Sequence, residues 1–177
     1  PCWAGPYPLA VARSVLTYMA LAISWDMLLR SGQISFGIAG FFGLGVYASA
    51  IGVVGAGMPP LLSILFAGVF SAAVALVLGL VILRLRAVYF SITTLALAEI
   101  FRVVAHNGHG FTGGPEGLVM PALVFGGEQR ALYWLILGAV AVAGIASSAF
   151  ERSRLRLAMP AIRNNEVSAA SGGIHLF

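Results

Sequence analysis

The 177-residue chain is 60% hydrophobic and only 9% charged, with a mean hydropathy of +0.98. Soluble domains carry about 25% charged residues, so this composition excludes an ordinary water-soluble enzyme or binding domain and points to several membrane spans. The net charge is +4, yet every basic residue is an arginine and most stand near the ends of apolar runs; that pattern fits loop retention on the cytoplasmic side better than a nucleic-acid surface.

Five apolar runs are long enough to cross a bilayer, because about 20 helical residues traverse a core of about 30 Å. The expected fold is an all-α polytopic transmembrane helix bundle, a single transmembrane domain over 1–177 with spans near 9–29, 34–58, 61–83, 87–105 and 131–150. The first run carries Arg13, and Asp26 and Arg30 four residues apart, a spacing that lets them pair on one helix face. A signal peptide would need a basic region before it, and none precedes it here. A link at Ser31-Gly32-Gln33 leads to the second run, which is uncharged and rich in glycine. Ser35, Ala39 and Gly43, and then Ala48, Gly52 and Ala56, fall at four-residue spacing, which lets helices approach closely. Pro59-Pro60 forces a turn. The third run holds a further small-residue stripe at Ala67, Ser71, Ala75 and Gly79. Gly37, Gly43 and Gly45 of the second run and this third-run stripe are the expected helix-packing positions.

Arg84 and Arg86 precede the fourth run, which embeds Glu99 and Arg102. A charge is expensive in lipid, so a retained pair faces a bundle interior or a water-filled path; the alternative is a structural pair that satisfies itself locally. An external loop follows at 106–130, containing GHGFTGGPEG. Its glycines invite a phosphate-loop reading, but that chemistry needs a lysine and the sequence has none. His106 and His109 are too few to define a metal site. No metal, cofactor or catalytic set is expected, and the chain is not read as an enzyme. Ala139, Ala143 and Ser147 keep register in the fifth run. The polar segment 151–177 holds Arg152, Arg154 and Arg156, then a short helix pattern from Ala161 to Ser171 stopped by Gly172-Gly173. With the N-terminus outside, seven arginines from Arg30 to Arg163 lie on the cytoplasmic side and only Arg13 and Arg130 near the outer one, so the positive-inside rule gives N-out/C-in.

Three stretches, in order, carry a family resemblance. SGQISFGIAGFFGLGVYASA resembles a glycine-rich GQLSLGHAAFFGIGAY pattern, and LRLRAVYFSITTLALAEIFR resembles LRLRGDYFAIVTLAFAEIVR. Asn107 and TGGPEGL follow, and AIRNNEVSAASGGI resembles AIRDNEVAAASLGI. These patterns resemble the permease subunits of branched-chain amino acid ABC importers, of the LivM type. The chain departs from them at Ile38, Val88, Arg156 and Pro160. The resemblance implies a multi-pass protein of the bacterial plasma membrane, forming half of a translocation pathway with a second, homologous permease. It also implies two ATP-binding subunits on the cytoplasmic side, a soluble substrate-binding protein outside, and an ATPase-coupling segment bearing Arg163, Asn165, Glu166, Ala169, Ala170 and Gly173. Members of that family continue beyond the coupling loop, so the sequence is expected to be a C-terminally truncated piece. The residues leave three rival readings: the same architecture carrying urea, short amides or aromatic acids; a secondary transporter or channel gated by Glu99 and Arg102; and a membrane anchor that recruits a cytoplasmic protein. No substrate-pocket residue is assigned.

Overall fold

The structure, a computed structural model, describes residues 5–82, 85, 87–120 and 124–153. The collar arginines Arg84 and Arg86 and the whole expected coupling set, Arg163, Asn165, Glu166, Ala169, Ala170 and Gly173, lie outside the described residues. The described chain is helical, with no strand among these residues. Five long helices are α1 (Pro6–Arg30), α2 (Ile38–Val54), α3 (Pro60–Ile82), α4 (Ala87–Asn107) and α6 (Gln129–Arg152), with a single turn, α5 (His109–Thr112), between the last two. The chain divides into two compact units, one of Pro1–Ile34 with Gln129–Phe177 and one of Ser35–Glu128.

In the first unit α1 packs on α6. Proline at its first turn starts α1, where a missing N–H costs nothing. Its polar side chains are satisfied within the helix: Ser14, Thr17 and Ser24 each donate to the carbonyl four residues back. Hydrocarbon offers no water to do this instead. The helix ends at Ser31, and Gly32 then takes a positive φ of 87°, the left-handed stop that glycine adopts without strain. Asp26 and Arg30 pair at 2.6 Å, the contact their spacing anticipates. Arg30 also donates through its second nitrogen to Glu151 at the end of α6, a partner 121 positions away that no local spacing could reveal. One guanidinium thus holds two carboxylates. Removing it leaves Asp26 and Glu151 repelling each other across the two helix ends. These groups are about 40% exposed, so Arg30→Gln is expected to destabilise this unit by only about 0.5–1 kcal/mol. Thermal unfolding in detergent, compared at low and high salt, measures it.

In the second unit α2 lies against both α3 and α4. The helices α1, α3, α4 and α6 are each long and apolar enough to cross a membrane, whereas α2 has 17 residues and reaches about 26 Å. The expected second run therefore forms a shorter helix than its 25 residues suggest. At its start Ser35 to Gly37 leave the helix, because Phe36 N–H is held by the Thr94 hydroxyl of α4 at 3.1 Å and Gly37 N–H by the Ser35 hydroxyl at 3.2 Å. At its end Gly55 and Gly57, the latter with φ of 62°, break the helix ahead of the two prolines. Irregular backbone at membrane depth survives only where protein or a cavity takes over its hydrogen bonds, and Thr94, itself buried, does so here.

The packing of α3 on α2 centres on Ser63, which is fully buried and donates to the Ser49 carbonyl at 2.6 Å. Gly52 makes room for it; a Cβ there would lie 2.3 Å from the Ser63 oxygen. Ala67 is buried one turn on, and Gly45 faces Ser71, whose oxygen a Cβ would meet at 3.3 Å. Most large apolar side chains of α3, among them Leu65, Val69, Leu76 and Val81, point outward and are exposed. In a soluble protein this would be a liability; on a membrane span it is the lipid- or partner-facing surface.

Candidate functional site

The site is a cavity of about 810 Å³ within the second unit, walled by α2, α4 and the glycine-rich turn, with Phe70 contributed by α3. Its floor follows from glycine. At Gly40 an added Cβ would stand 2.7 Å from the Ala98 Cα and 3.0 Å from its Cβ, so α2 and α4 touch backbone to backbone at this level. Phe41 and Phe101 flank the crossing edge to face, with ring centres 5.5 Å apart, a geometry that favours aromatic pairs. Away from the crossing the helices leave a trough. Gly43 lines it, and a Cβ there would meet nothing within 4 Å.

One wall is the stripe Leu95, Glu99, Arg102 and His106 of α4, set one helical turn apart so that all four share a face. Glu99 and Arg102 form a two-pronged pair: Arg102 Nε donates to Glu99 Oε2 at 2.9 Å and Nη2 to Oε1 at 2.5 Å. Within this chain both side chains are more than half exposed. On an otherwise apolar span such exposure requires water, a ligand or another protein beside them. The opposite wall is apolar and contains Leu44, Tyr47 and Ile51 of α2.

The turn after α4 closes one end. Asn107 donates back to the Val103 carbonyl at 2.9 Å, satisfying part of the helix terminus. Thr112 is buried, and its hydroxyl sits between the carbonyls of Ala105 at 2.5 Å and Gly108 at 2.7 Å while accepting Gly114 N–H at 3.3 Å. Gly113, Gly114 and Gly117 all have positive φ, near 73°, 58° and 72°. The stretch expected as plain external loop is therefore a compact turn whose Thr112, Gly114 and Pro115 form part of the cavity wall. His106 lines it and His109 stands against Gly114, and among the described residues no group of three histidine, cysteine or acidic side chains assembles around a metal.

The structure thus places Glu99, Arg102 and Gly43 at one cavity, Gly37 against Thr94, and Gly45, Ala67 and Ser71 between α2 and α3. Ala75 is partly covered on α3, and a Cβ on Gly79 would meet nothing within 4 Å. Gly40, the tightest contact with α4, falls outside the four-residue series; its signal is its place three residues after Gly37, opposite Ala98.

A family model described as branched-chain amino acid transport system / permease component matches residues 7–177. The chain belongs to this permease family. Among curated relatives, the permease is 33% identical over 109 residues to the high-affinity branched-chain amino acid transport system permease protein LivM of Salmonella typhimurium. It is 34% identical over 111 residues to the LivM protein of Escherichia coli. Each match covers 61% of this chain and 26% of the relative, so the permease spans about a quarter of the length of the curated relatives it matches. No solved structure matches it. Family membership and the membrane-length apolar helices together make it a multi-pass membrane protein of a transport system.

Proposed function

We propose that this permease is the transmembrane component of an ABC importer for branched-chain or related hydrophobic amino acids. It contributes half of a translocation pathway, the other half coming from a homologous permease subunit. Two ATP-binding subunits power it from the cytoplasmic side, and a soluble binding protein delivers substrate outside. The reading rests foremost on the family match across residues 7–177. The cavity adds support, because an apolar trough with one embedded ion pair suits a small molecule that is apolar at one end and charged at the other. In this reading all five long helices cross a bacterial plasma membrane, N-out and C-in, and the segment 151–177 engages the ATPases.

Co-reconstitution into proteoliposomes of the full-length protein carrying this sequence, with its partner subunits and binding protein, tests it. Labelled leucine is expected to accumulate only with ATP and the binding protein. Accumulation driven by an ion gradient without ATPase subunits would support a secondary transporter instead. For the coupling segment, Arg163→Glu and Glu166→Lys are each expected to reduce ATPase co-purification at least fivefold without altering membrane insertion. Unchanged co-purification of both variants removes the coupling assignment.

A further inference from the structure

Glu99 and Arg102 stand three residues apart on α4, where their Cβ atoms are about 5–6 Å from each other. They currently neutralise each other through two hydrogen bonds, and both line the cavity. A free amino acid carries the same two charges, an ammonium and a carboxylate, on one carbon. We infer that this pair is a zwitterion-exchange site: Glu99 releases Arg102 to take the substrate's α-ammonium group, and Arg102 takes its α-carboxylate. This inference rests on the amino-acid importer reading above and names the residues that carry out recognition.

Charge balance supports the exchange. The empty pair sums to zero, the zwitterion sums to zero, and so does the complex, so loading never leaves an uncompensated charge in a low-dielectric environment, the costliest arrangement available. A planar guanidinium meets a carboxylate through two parallel hydrogen bonds, the same geometry that it now spends on Glu99. The rest of the cavity fits the other end of the ligand. Leu95 lies one turn before Glu99, and Leu44, Tyr47 and Ile51 present an apolar wall, so a branched aliphatic side chain leaves water there while its charged end stays on α4. Gly43 leaves open space between these surfaces. The α2 side of the cavity carries no charged residue, so the ligand's charged end is held on α4 with its side chain towards α2, which makes the order of the two charges along α4 matter.

That last point separates recognition from a purely structural ion pair. In the double variant Glu99→Arg/Arg102→Glu the helix keeps a pair at the same spacing. A structural pair is restored by this swap; an oriented recognition site is not. In the reconstituted complex, leucine uptake is expected to fall at least tenfold in Glu99→Gln, in Arg102→Gln and in the swap, while assembly, read as co-purification of the partner subunits, stays within twofold of wild type. Uptake by the swap at half the wild-type rate or more overturns the inference. The milder variants Glu99→Asp and Arg102→Lys keep both charges and guard against loss of assembly in the neutral ones. They are expected to raise KM for leucine at least threefold with little change in the maximal rate, and an unchanged KM in both likewise overturns it. Absence of ATP-dependent leucine uptake by the wild-type complex would instead defeat the importer reading itself. Normal wild-type uptake with an active swap defeats the exchange site alone.

Discussion

Gly40→Ala is expected to uncouple α2 from α4 and to abolish uptake, although it adds only one methyl group. The added Cβ would lie 2.7 Å from the Ala98 Cα, which is backbone and has no rotamer with which to move aside. Relief requires the two helices to separate by roughly 1 Å, and inserting a methyl into a packed contact of this kind costs about 1–3 kcal/mol. The damage extends beyond the contact. Separation pulls Thr94 from Phe36 N–H and orphans a donor that has no water at membrane depth, adding about 1–3 kcal/mol if it stays unpaired. It also splays the Phe41–Phe101 pair that flanks the crossing. Gly43→Ala is the matched control, because it lies one turn further along α2 and its Cβ has open space. The control is expected to keep wild-type thermal stability in detergent, whereas Gly40→Ala loses several degrees and most of its leucine uptake. Equal stability of the two variants would show that the close approach of α2 and α4 does not hold.

How much of this was legible beforehand depends on whether the controlling interaction is local. The apolar runs around α1, α3, α4 and α6 could be read directly, because span length and hydropathy are properties of the sequence alone. So could the pairs Asp26–Arg30 and Glu99–Arg102, since helical spacing brings such residues together whatever surrounds them. The irregular backbone at Ser35–Gly37 could not, because Thr94, 58 positions from Phe36, takes the Phe36 N–H with its hydroxyl. The bridge from Arg30 to Glu151 is equally non-local. Small residues give an intermediate case. Four-residue spacing drew attention to Gly43, Gly52 and Gly79; of these only Gly52 makes a tight contact, while Gly40, outside the series, makes the other. Spacing identifies a face capable of close approach, and only the partner helix decides which position on that face is used. In the turn after α4, the left-handed glycines were visible as composition, but their role as a cavity wall depends on the burial of Thr112.

That turn supplies the second large effect. Gly113→Ala is expected to open the TGGPEG segment, from Thr112 to Gly117, and remove the end wall of the cavity. Two costs coincide at this position. A φ of 73° lies in the left-handed region, where a Cβ costs roughly 1–2 kcal/mol. The same Cβ would fall 2.0 Å from the Gly117 carbonyl oxygen, an overlap that only separation of the two ends of the turn relieves. Once they part, Gly114 N–H leaves the Thr112 hydroxyl, and Thr112 loses the geometry that ties the turn to the Ala105 carbonyl at the end of α4. Gly110→Ala provides the comparison. It sits in the neighbouring helical turn α5, its φ is not positive, and an added Cβ meets nothing within 4 Å. Leucine uptake in proteoliposomes is expected to drop more than tenfold for Gly113→Ala and less than twofold for Gly110→Ala. Limited proteolysis should cut the first variant within residues 112–117 and leave the second as resistant as wild type. If the turn merely connects α4 to α6, both variants will transport alike; if it forms the cavity's end wall, the strained position alone will fail, because Thr112, Gly114 and Pro115 then no longer enclose the ligand.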